Sequence, residues 1–288
     1  MILLDGKHLS EIIKAELAAQ VQQRKADGLK IPHLAAVLVG ENPASEAYIR
    51  SKTRACEQVG YGSTLLRLPA ATTERELLQV VADLNQNPEI DGFIVQLPLP
   101  KHINEDHIIL AIDPRKDVDG FHPTNFGRMA QGLPAFLPAT PYGIVQMLER
   151  YDIPTSGKRC IVVGRSNIVG TPISLLLSRK GKDCTVTLAH SRTRDLAEEV
   201  RRADIIIAAI GIPHFITADM VADGAVVIDV GINRIDDPTH PKGSRLVGDV
   251  DFENVKHKCS YITPVPGGVG LMTVVSLLQN TMKAVGAD

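Results

Sequence analysis

An α/β fold of two domains flanking a cleft is what this chain predicts, on three observations. Short apolar runs rich in β-branched residues, at 34–39, 92–96, 160–163, 205–210 and 225–230, alternate with stretches of helical periodicity. That is the pattern of parallel strands joined by crossover helices. The alternation occurs twice, with a loop-rich passage ending near Thr140 between the two halves. In the second half the strand 160–163 feeds Gly164-Arg165-Ser166-Asn167-Ile168-Val169-Gly170-Thr171-Pro172, after which Ile173, Leu176 and Leu177 recur at helical spacing. A strand, a glycine turn and a helix N-terminus form an anion cradle, because unpaired N–H groups and the helix dipole point at whatever sits there. The spacing is not G-x-G-x-x-G, since only Gly164 and Gly170 are present, so an ordinary strand-to-helix turn explains this segment alone equally well.

The elements follow in order. A short strand at 2–4 and an Asp5-Gly6 turn precede a helix traced by Leu9, Ile12, Ile13, Leu17 and Val21, stopping near Gly28. Strand 34–39 runs into Gly40-Glu41-Asn42-Pro43, with Asn42 as N-cap and Pro43 as first-turn proline of a helix reaching Gly60. A strand at 64–68 comes next, then a helix opened by Thr72 or Thr73 and carried by Leu77, Val80, Val81 and Leu84. Strand 92–96 ends in Leu97-Pro98-Leu99-Pro100, and His102 and His107 are expected on a surface loop and helix. Residues 113–141 are expected as a loop-rich passage. A helix over 142–151 leads through Ser156-Gly157-Lys158 to strand 160–163 and the helix 173–180. Strand 185–189, helix 196–202 and strands 205–210 and 225–230 complete the second half. Residues 232–247, hydrophilic and holding two prolines, are expected as a long surface loop. Thr263-Pro264-Val265-Pro266-Gly267-Gly268-Val269-Gly270 is a rigid loop feeding a terminal helix through Ala284.

A net charge of −2 and a pI near 6.5 supply no basic field for nucleic acid or an anionic membrane. The four cysteines form no C-x-x-C pair, so buried reduced thiols in a cytoplasmic protein are expected. No run of about 18 apolar residues and no signal-like N-terminus occurs, which points to a soluble protein. No metal is expected: the nine histidines contain no H-E-x-x-H. Aligning Asp119-Gly120 on a calcium loop would place Arg115 and Phe126 where oxygen ligands are required.

If residues 160–189 hold a dinucleotide, strand 185–189 should end beside the adenosine ribose, where enzymes for the unphosphorylated cofactor place Asp or Glu. Here His190-Ser191-Arg192-Thr193 follows, with no carboxylate before Asp195, and Arg165 adds a second guanidinium. Two arginines and a hydroxyl suit a 2′-phosphate, so NADP is expected over NAD by roughly tenfold or more. The cleft should be lined from the first half. Tyr48 and Lys52 lie four apart on one helix face, Gln96 ends a strand, and Lys116-Asp117-Val118-Asp119-Gly120 fills the loop beyond. Each has a bland reading, since such Tyr/Lys pairs are usually surface residues and D-x-D-G turns usually solvated.

Together these stretches resemble the bifunctional methylenetetrahydrofolate dehydrogenase/cyclohydrolase family over essentially the full length. The resemblance is carried by Asn42-Pro43-Ala44-Ser45 with Tyr48 and Lys52, by 91–100 (DGFIVQLPLP), 116–123 (KDVDGFHP) and 162–172, and by 190–193, 224–234 (GAVVIDVGINR), 248–252 (GDVDF) and 263–270. It implies a folate-binding catalytic domain over 1–140, with the C-terminal helix 271–288 packing back on it. It also implies a Rossmann-like NADP-binding domain over 141–270, through which a homodimer forms. The activity implied is NADP-dependent oxidation of 5,10-methylenetetrahydrofolate to 5,10-methenyltetrahydrofolate and hydrolysis of the latter to 10-formyltetrahydrofolate. By position, Tyr48 would stack on the folate, Lys52 would be the central catalytic residue, Gln96 would orient it and Asp119 would bind the pterin. Val95 and Leu97 would flank Gln96 in the substrate pocket, and Pro266, Gly267, Gly268 and Thr273 would wall it. Gly164, Arg165, Ser166, Ser191, Arg192 and Ile232 would contact the dinucleotide.

Two positions depart from the family pattern. Ala139 stands where the family commonly has cysteine, and Leu271 where it usually has proline. A proline at 271 is expected to add up to about 1 kcal/mol of stability or folate affinity if φ there suits it. A lysine with lowered pKa would assist hydration of the methenyl cation. A shikimate-type or amino-acid dehydrogenase would explain 162–172 but not Tyr48, Lys52, Gln96 and Asp119. A non-catalytic NADP-binding regulator should dispense with both Lys52 and the folate loop.

Overall fold

The computed structural model describes residues 1–239 and 243–285. Two compact units form, one from Glu11–Ala139 with Val274–Asp288, the other from Met1–Ser10 with Thr140–Thr273.

The first unit holds a three-stranded parallel sheet in the order Gly62–Leu68, His33–Val39, Gly92–Val95. The central strand is buried from Leu34 to Val39, as a parallel strand covered on both faces must be. The helix Pro43–Val59 starts where the sequence signals place it. Asn42 accepts from the Ala44 and Ser45 N–H groups, and Pro43 takes the first turn. Thr73 likewise caps Glu74–Gln86 through a reciprocal pair with Glu76.

The loop-rich passage 113–141 also contains a helix outside the sequence expectation, Pro123–Ala130, and the first turn of the helix Ala139–Arg150. The former has only 8 residues, too few to display a period, and its cap is the His122 ring accepting from the Thr124 N–H. His107 lies on the helix Glu105–Ala111. The terminal helix Val269–Ala284 enters this unit from residue 274. It is tied there by Asn280, whose amide donates to the carbonyls of Val118 (2.8 Å) and Leu137 (2.9 Å), and by the Tyr61 hydroxyl donating to the Leu278 carbonyl (3.0 Å). Residues 286–288 of the expected 271–288 segment lie outside the described residues.

The second unit holds a six-stranded, all-parallel sheet in the order Ile2–Leu3, Tyr261–Ile262, Val226–Asp229, Ile205–Ala208, Arg159–Val163, Thr185–Ala189. Residues 1–10 therefore differ from the sequence expectation in the unit they join. Ile2 and Leu3 pair with Tyr261 and Ile262, with an Ile2 N–H to Ser260 carbonyl bond of 2.7 Å. A two-residue strand has no period from which to read its partner.

Residues 232–247, expected as a surface loop, form instead an antiparallel pair, Asn233–Asp236 with Ser244–Val247. Polar residues on both faces concealed it from a hydrophobicity pattern; positions 240–242 lie outside the described residues. All four cysteines are buried and free. Among the described residues no helix is long and apolar enough to cross a membrane.

Candidate active site

The helix Pro43–Val59 turns Ser45, Ile49, Lys52, Ala55, Cys56 and Val59 inward. Lysine on such a face is costly unless its ammonium finds a partner. Lys52 is only 7% exposed, and its amine donates to Gln96 Oε1 at 3.3 Å. The Gln96 amide is held in that sense because its nitrogen donates to the Leu97 carbonyl at 2.7 Å. Its backbone N–H donates to Val37 at 2.9 Å, where the sheet ends. The surface reading of the Tyr48/Lys52 pair fails: Lys52 is buried and Tyr48 half-buried, and burial raises the pKa of the Tyr48 hydroxyl.

Asp119 is half-buried. Burial pushes its carboxyl up, while the charge of Lys52 pulls it down, so the two share one electrostatic environment. Asp117, two residues earlier, holds the loop that carries it. Its carboxylate accepts from the Phe121 N–H (3.2 Å), the His122 N–H (2.8 Å) and the Asn125 amide (2.9 Å). Burial pushes Asp117 up to about 6. The sequence places Asp117 in the cleft loop without a role of its own, since its partners lie four to eight residues further on. Ser45 likewise stands in the 42–45 stretch without a role, and its buried hydroxyl lacks a partner among the described residues. Val95 is a buried member of the core cluster around the sheet, and Leu97 packs against that cluster.

Tyr48, Lys52, Gln96 and Asp119 thus belong to one unit, while Pro266, Gly267, Gly268 and Thr273 belong to the other. In that second unit the Lys7 N–H donates to the Gly267 carbonyl at 3.0 Å, and Thr140 and Thr273 share a hydroxyl contact of 2.9 Å. Leu271 does not stand idle in place of proline. Its N–H donates to the Gly268 carbonyl at 3.3 Å, a bond that proline would delete.

The same unit contains the anion cradle. Gly164 has φ +118°, and a Cβ there would lie 2.1 Å from the Ala209 carbonyl oxygen, so only glycine lets these two strand ends meet. The Ser166 hydroxyl accepts from the Val169 (3.2 Å) and Gly170 (3.3 Å) N–H groups and closes the turn onto the helix Gly170–Ser178. Val163 and Ala189 are paired across the sheet, and the Gly164 N–H donates to the Ala189 carbonyl at 2.9 Å. Residues 164–166 and 190–192 therefore leave the sheet side by side. Arg165, Ser166, Ser191 and Arg192 are all exposed, and neither guanidinium has an ion-pair partner among the described residues. Ile232 is exposed by 44%. A close glycine turn against a helix N-terminus, beside two uncommitted cations, fits a phosphorylated dinucleotide.

Comparison with known proteins decides the family. The tetrahydrofolate dehydrogenase/cyclohydrolase catalytic-domain model matches residues 4–119, and the NAD(P)-binding-domain model of the same family matches 138–288. The chain belongs to this family. It is 60% identical over 286 residues to the bifunctional protein FolD of Flavobacterium johnsoniae, covering 99% of this chain and 97% of the relative. Among solved structures, the bifunctional FolD dehydrogenase/cyclohydrolase of Campylobacter jejuni superposes with a TM-score of 0.93 at 47% identity, covering 99% and 98% of the two chains. The Trypanosoma brucei methylenetetrahydrofolate dehydrogenase-cyclohydrolase, complexed with NADP and an inhibitor, gives 0.94 at 35% identity, covering 99% and 97%. The resemblance noted in the sequence is thereby established, and the shikimate-type and regulator readings fall.

Proposed function

We propose that Lys52 is the proton-handling group of a folate site and that Arg165, Ser191 and Arg192 take the 2′-phosphate of the coenzyme. The chain is an NADP-dependent methylenetetrahydrofolate dehydrogenase and methenyltetrahydrofolate cyclohydrolase. It oxidises 5,10-methylenetetrahydrofolate to the 5,10-methenyl cation and hydrolyses that cation to 10-formyltetrahydrofolate. Bound NADP would supply the acceptor for a hydride from the one-carbon bridge. For that step the protein's task is placement, with Tyr48 stacked on the folate, Asp119 on the pterin, and Pro266, Gly267, Gly268 and Thr273 as a wall. Gly164, Ser166 and Ile232 contact the coenzyme beside the arginines.

Hydration differs, because water must lose one proton as it adds to the cation and a second, to solvent, as the formyl carbonyl forms, while a ring nitrogen must gain one as it departs. The observation carrying the assignment is the buried Lys52 amine aimed at Gln96 Oε1, 3.3 Å away. Neutral, it accepts the proton of the attacking water; charged, it returns one to the departing nitrogen. Toward Lys52, Gln96 presents its acceptor Oε1, which fixes the amine but is too weak a base to take its proton.

The folate-binding catalytic domain is assigned to the unit of residues 11–139 with the terminal helix from 274, and the NADP-binding domain to residues 140–273 with residues 1–10. A homodimer through the NADP domains and a cytoplasmic location complete the proposal, supported by family membership. Mixing the protein with NADP and methylenetetrahydrofolate tests it. Reduced-nicotinamide absorbance should rise while the methenyl band stays low in the native protein and accumulates in Lys52→Gln. Native-like disappearance of the methenyl band in the variant would overturn the assignment of Lys52.

A further inference from the structure

Two carboxylates that no catalytic step uses lie wholly inside the second unit, Asp249 at 0% and Asp229 at 3% exposure. Asp249 Oδ2 accepts from the Ile210 (2.7 Å) and Gly211 (2.9 Å) N–H groups, and its Oδ1 accepts from the Asn233 amide at 2.9 Å. Asp229 Oδ1 accepts from the Gly231 (3.0 Å) and Asp249 (2.9 Å) N–H groups, and its Oδ2 from that of Val250 at 2.9 Å. Every contact is an N–H donor, and neither carboxylate has a salt-bridge partner among the described residues. The backbone closes tightly over both. A Cβ on Gly231 would lie 2.2 Å from Asp249 Oδ1, and one on Gly248 would lie 1.8 Å from Asp229 Oδ2.

Burying two carboxylates without a cation is expensive, and burial pushes Asp229 up to about 7. What they hold in return is specific. Asp229 ends the strand Val226–Asp229, and the tethered residues 210–211 follow the end of Ile205–Ala208, at the carboxyl edge where parallel sheets take their ligands. Ile232 is bracketed by Gly231, tied to Asp229, and Asn233, tied to Asp249. The Ala209 carbonyl, next to the tethered Ile210, is the atom against which Gly164 packs.

We infer that Asp249 and Asp229 are positioning residues for the dehydrogenase step, locking Ile232 and the 209–211 turn into the surface that receives the coenzyme. This rests on the assignment of Ile232 to the dinucleotide site. The amide in Asp249→Asn must turn its NH₂ toward a donor, so at least one tether breaks. Asn233→Ala removes one tether and leaves both carboxylates in place.

Dehydrogenase KM for NADP should rise about tenfold in Asp249→Asn and severalfold in Asn233→Ala. Hydrolysis of added methenyltetrahydrofolate, which consumes no coenzyme, should stay within about twofold of native in the same samples. A purely structural role would lower both activities together through loss of folded protein and leave KM for NADP unchanged. Asn233→Ala, deleting an amide on a partly exposed residue, keeps the test open if Asp249→Asn does not fold. Ile232→Ala separates the two ideas. If it raises KM for NADP while Asn233→Ala does not, the positioning role is wrong and the site assignment stands. If Ile232→Ala itself leaves KM unchanged, both are overturned.

Discussion

Lys52 and Arg192 are both cations assigned to a ligand, yet the fold treats them in opposite ways. The lysine is withdrawn to 7% exposure on an inward helix face, and its amine donates to Gln96 Oε1 at 3.3 Å. Arg192, like Arg165, stands exposed on a short loop, and the order of that region comes from backbone: the Gly164 turn, the Ser166 hydroxyl and the paired strand ends Val163 and Ala189. A group that must exchange a proton with one bound molecule gains from being held in a fixed place away from bulk water. A group that must recognise a phosphate gains from permanent charge and reach, and costs least when left in water until the ligand arrives.

The largest expected effect tests the buried side. Lys52→Gln should lower hydration of methenyltetrahydrofolate by at least about 10²-fold, the lower end for a general acid–base contribution. Oxidation of methylenetetrahydrofolate, which draws on placement, should keep a larger fraction of its rate. The two steps are to be assayed separately at saturating folate. Equal losses in both would make Lys52 a positioning residue, and the contrast with the arginines would dissolve.

Next in size is a pH effect at Asp117, beneath the Asp119 loop. Its carboxyl is pushed from 3.8 up to about 6 by burial, with the charge of Asp119 adding to the shift. The folded state therefore binds this proton more tightly than the unfolded chain does. The resulting stability is fully present below about pH 4 and is lost as pH rises through 6. Relative to Asp117→Asn, the native protein should lose on the order of 2–3 kcal/mol between pH 4 and pH 7. Denaturant melts of both proteins at several pH values read this directly. A gap that widens in favour of the native protein as pH rises would mean that the three N–H donors outweigh burial.

The exposed side should respond more gently. Native protein should prefer NADP to NAD by roughly tenfold or more in kcat/KM, and Arg165→Ala with Arg192→Ala should remove most of that preference by weakening NADP alone. Unchanged discrimination in the double variant would show that the phosphate is recognised elsewhere.

What could be read from the sequence follows the range of each interaction. Asn42 and Thr73 act on N–H groups two or three residues away, so both caps are visible in the chain itself. The Gly164–Pro172 turn is equally local. The burial of Lys52 depends on Gln96, 44 positions later, and nothing in an i,i+4 Tyr/Lys pair reveals it. Asp249 reaches Ile210 across 39 positions and Asn233 across 16, too far for any local pattern to show. The two-residue strands Ile2–Leu3 and Tyr261–Ile262 fail for the opposite reason, being too short to carry any pattern. Buried polar groups with distant partners are the least legible class, and both the folate and the coenzyme assignments depend on them.

The smallest expected effect lies at Leu271, between the rigid loop and the terminal helix. Leu271 is the third residue of Val269–Ala284, so its φ already lies in the range that proline imposes. Reduced freedom of the unfolded chain would then favour Leu271→Pro by about 0.4–1 kcal/mol. Against this stands the Leu271 N–H bond to the Gly268 carbonyl, which is long at 3.3 Å. A hydrogen bond contributes about 0.5–1.5 kcal/mol net, and one of this length should sit at the bottom of that range. Proline also disfavours the helical region for the preceding residue, but that residue is Gly270, which has no Cβ to clash. The terms nearly cancel, so stability should change by less than about 0.5 kcal/mol. Hydration and oxidation rates should also stay close to native. A loss above about 2 kcal/mol would show that leucine's half-buried side chain, rather than its backbone, anchors the loop to the helix. A gain near 1 kcal/mol would show that the 3.3 Å contact contributes nothing and that the loop tolerates further stiffening without cost to folate turnover.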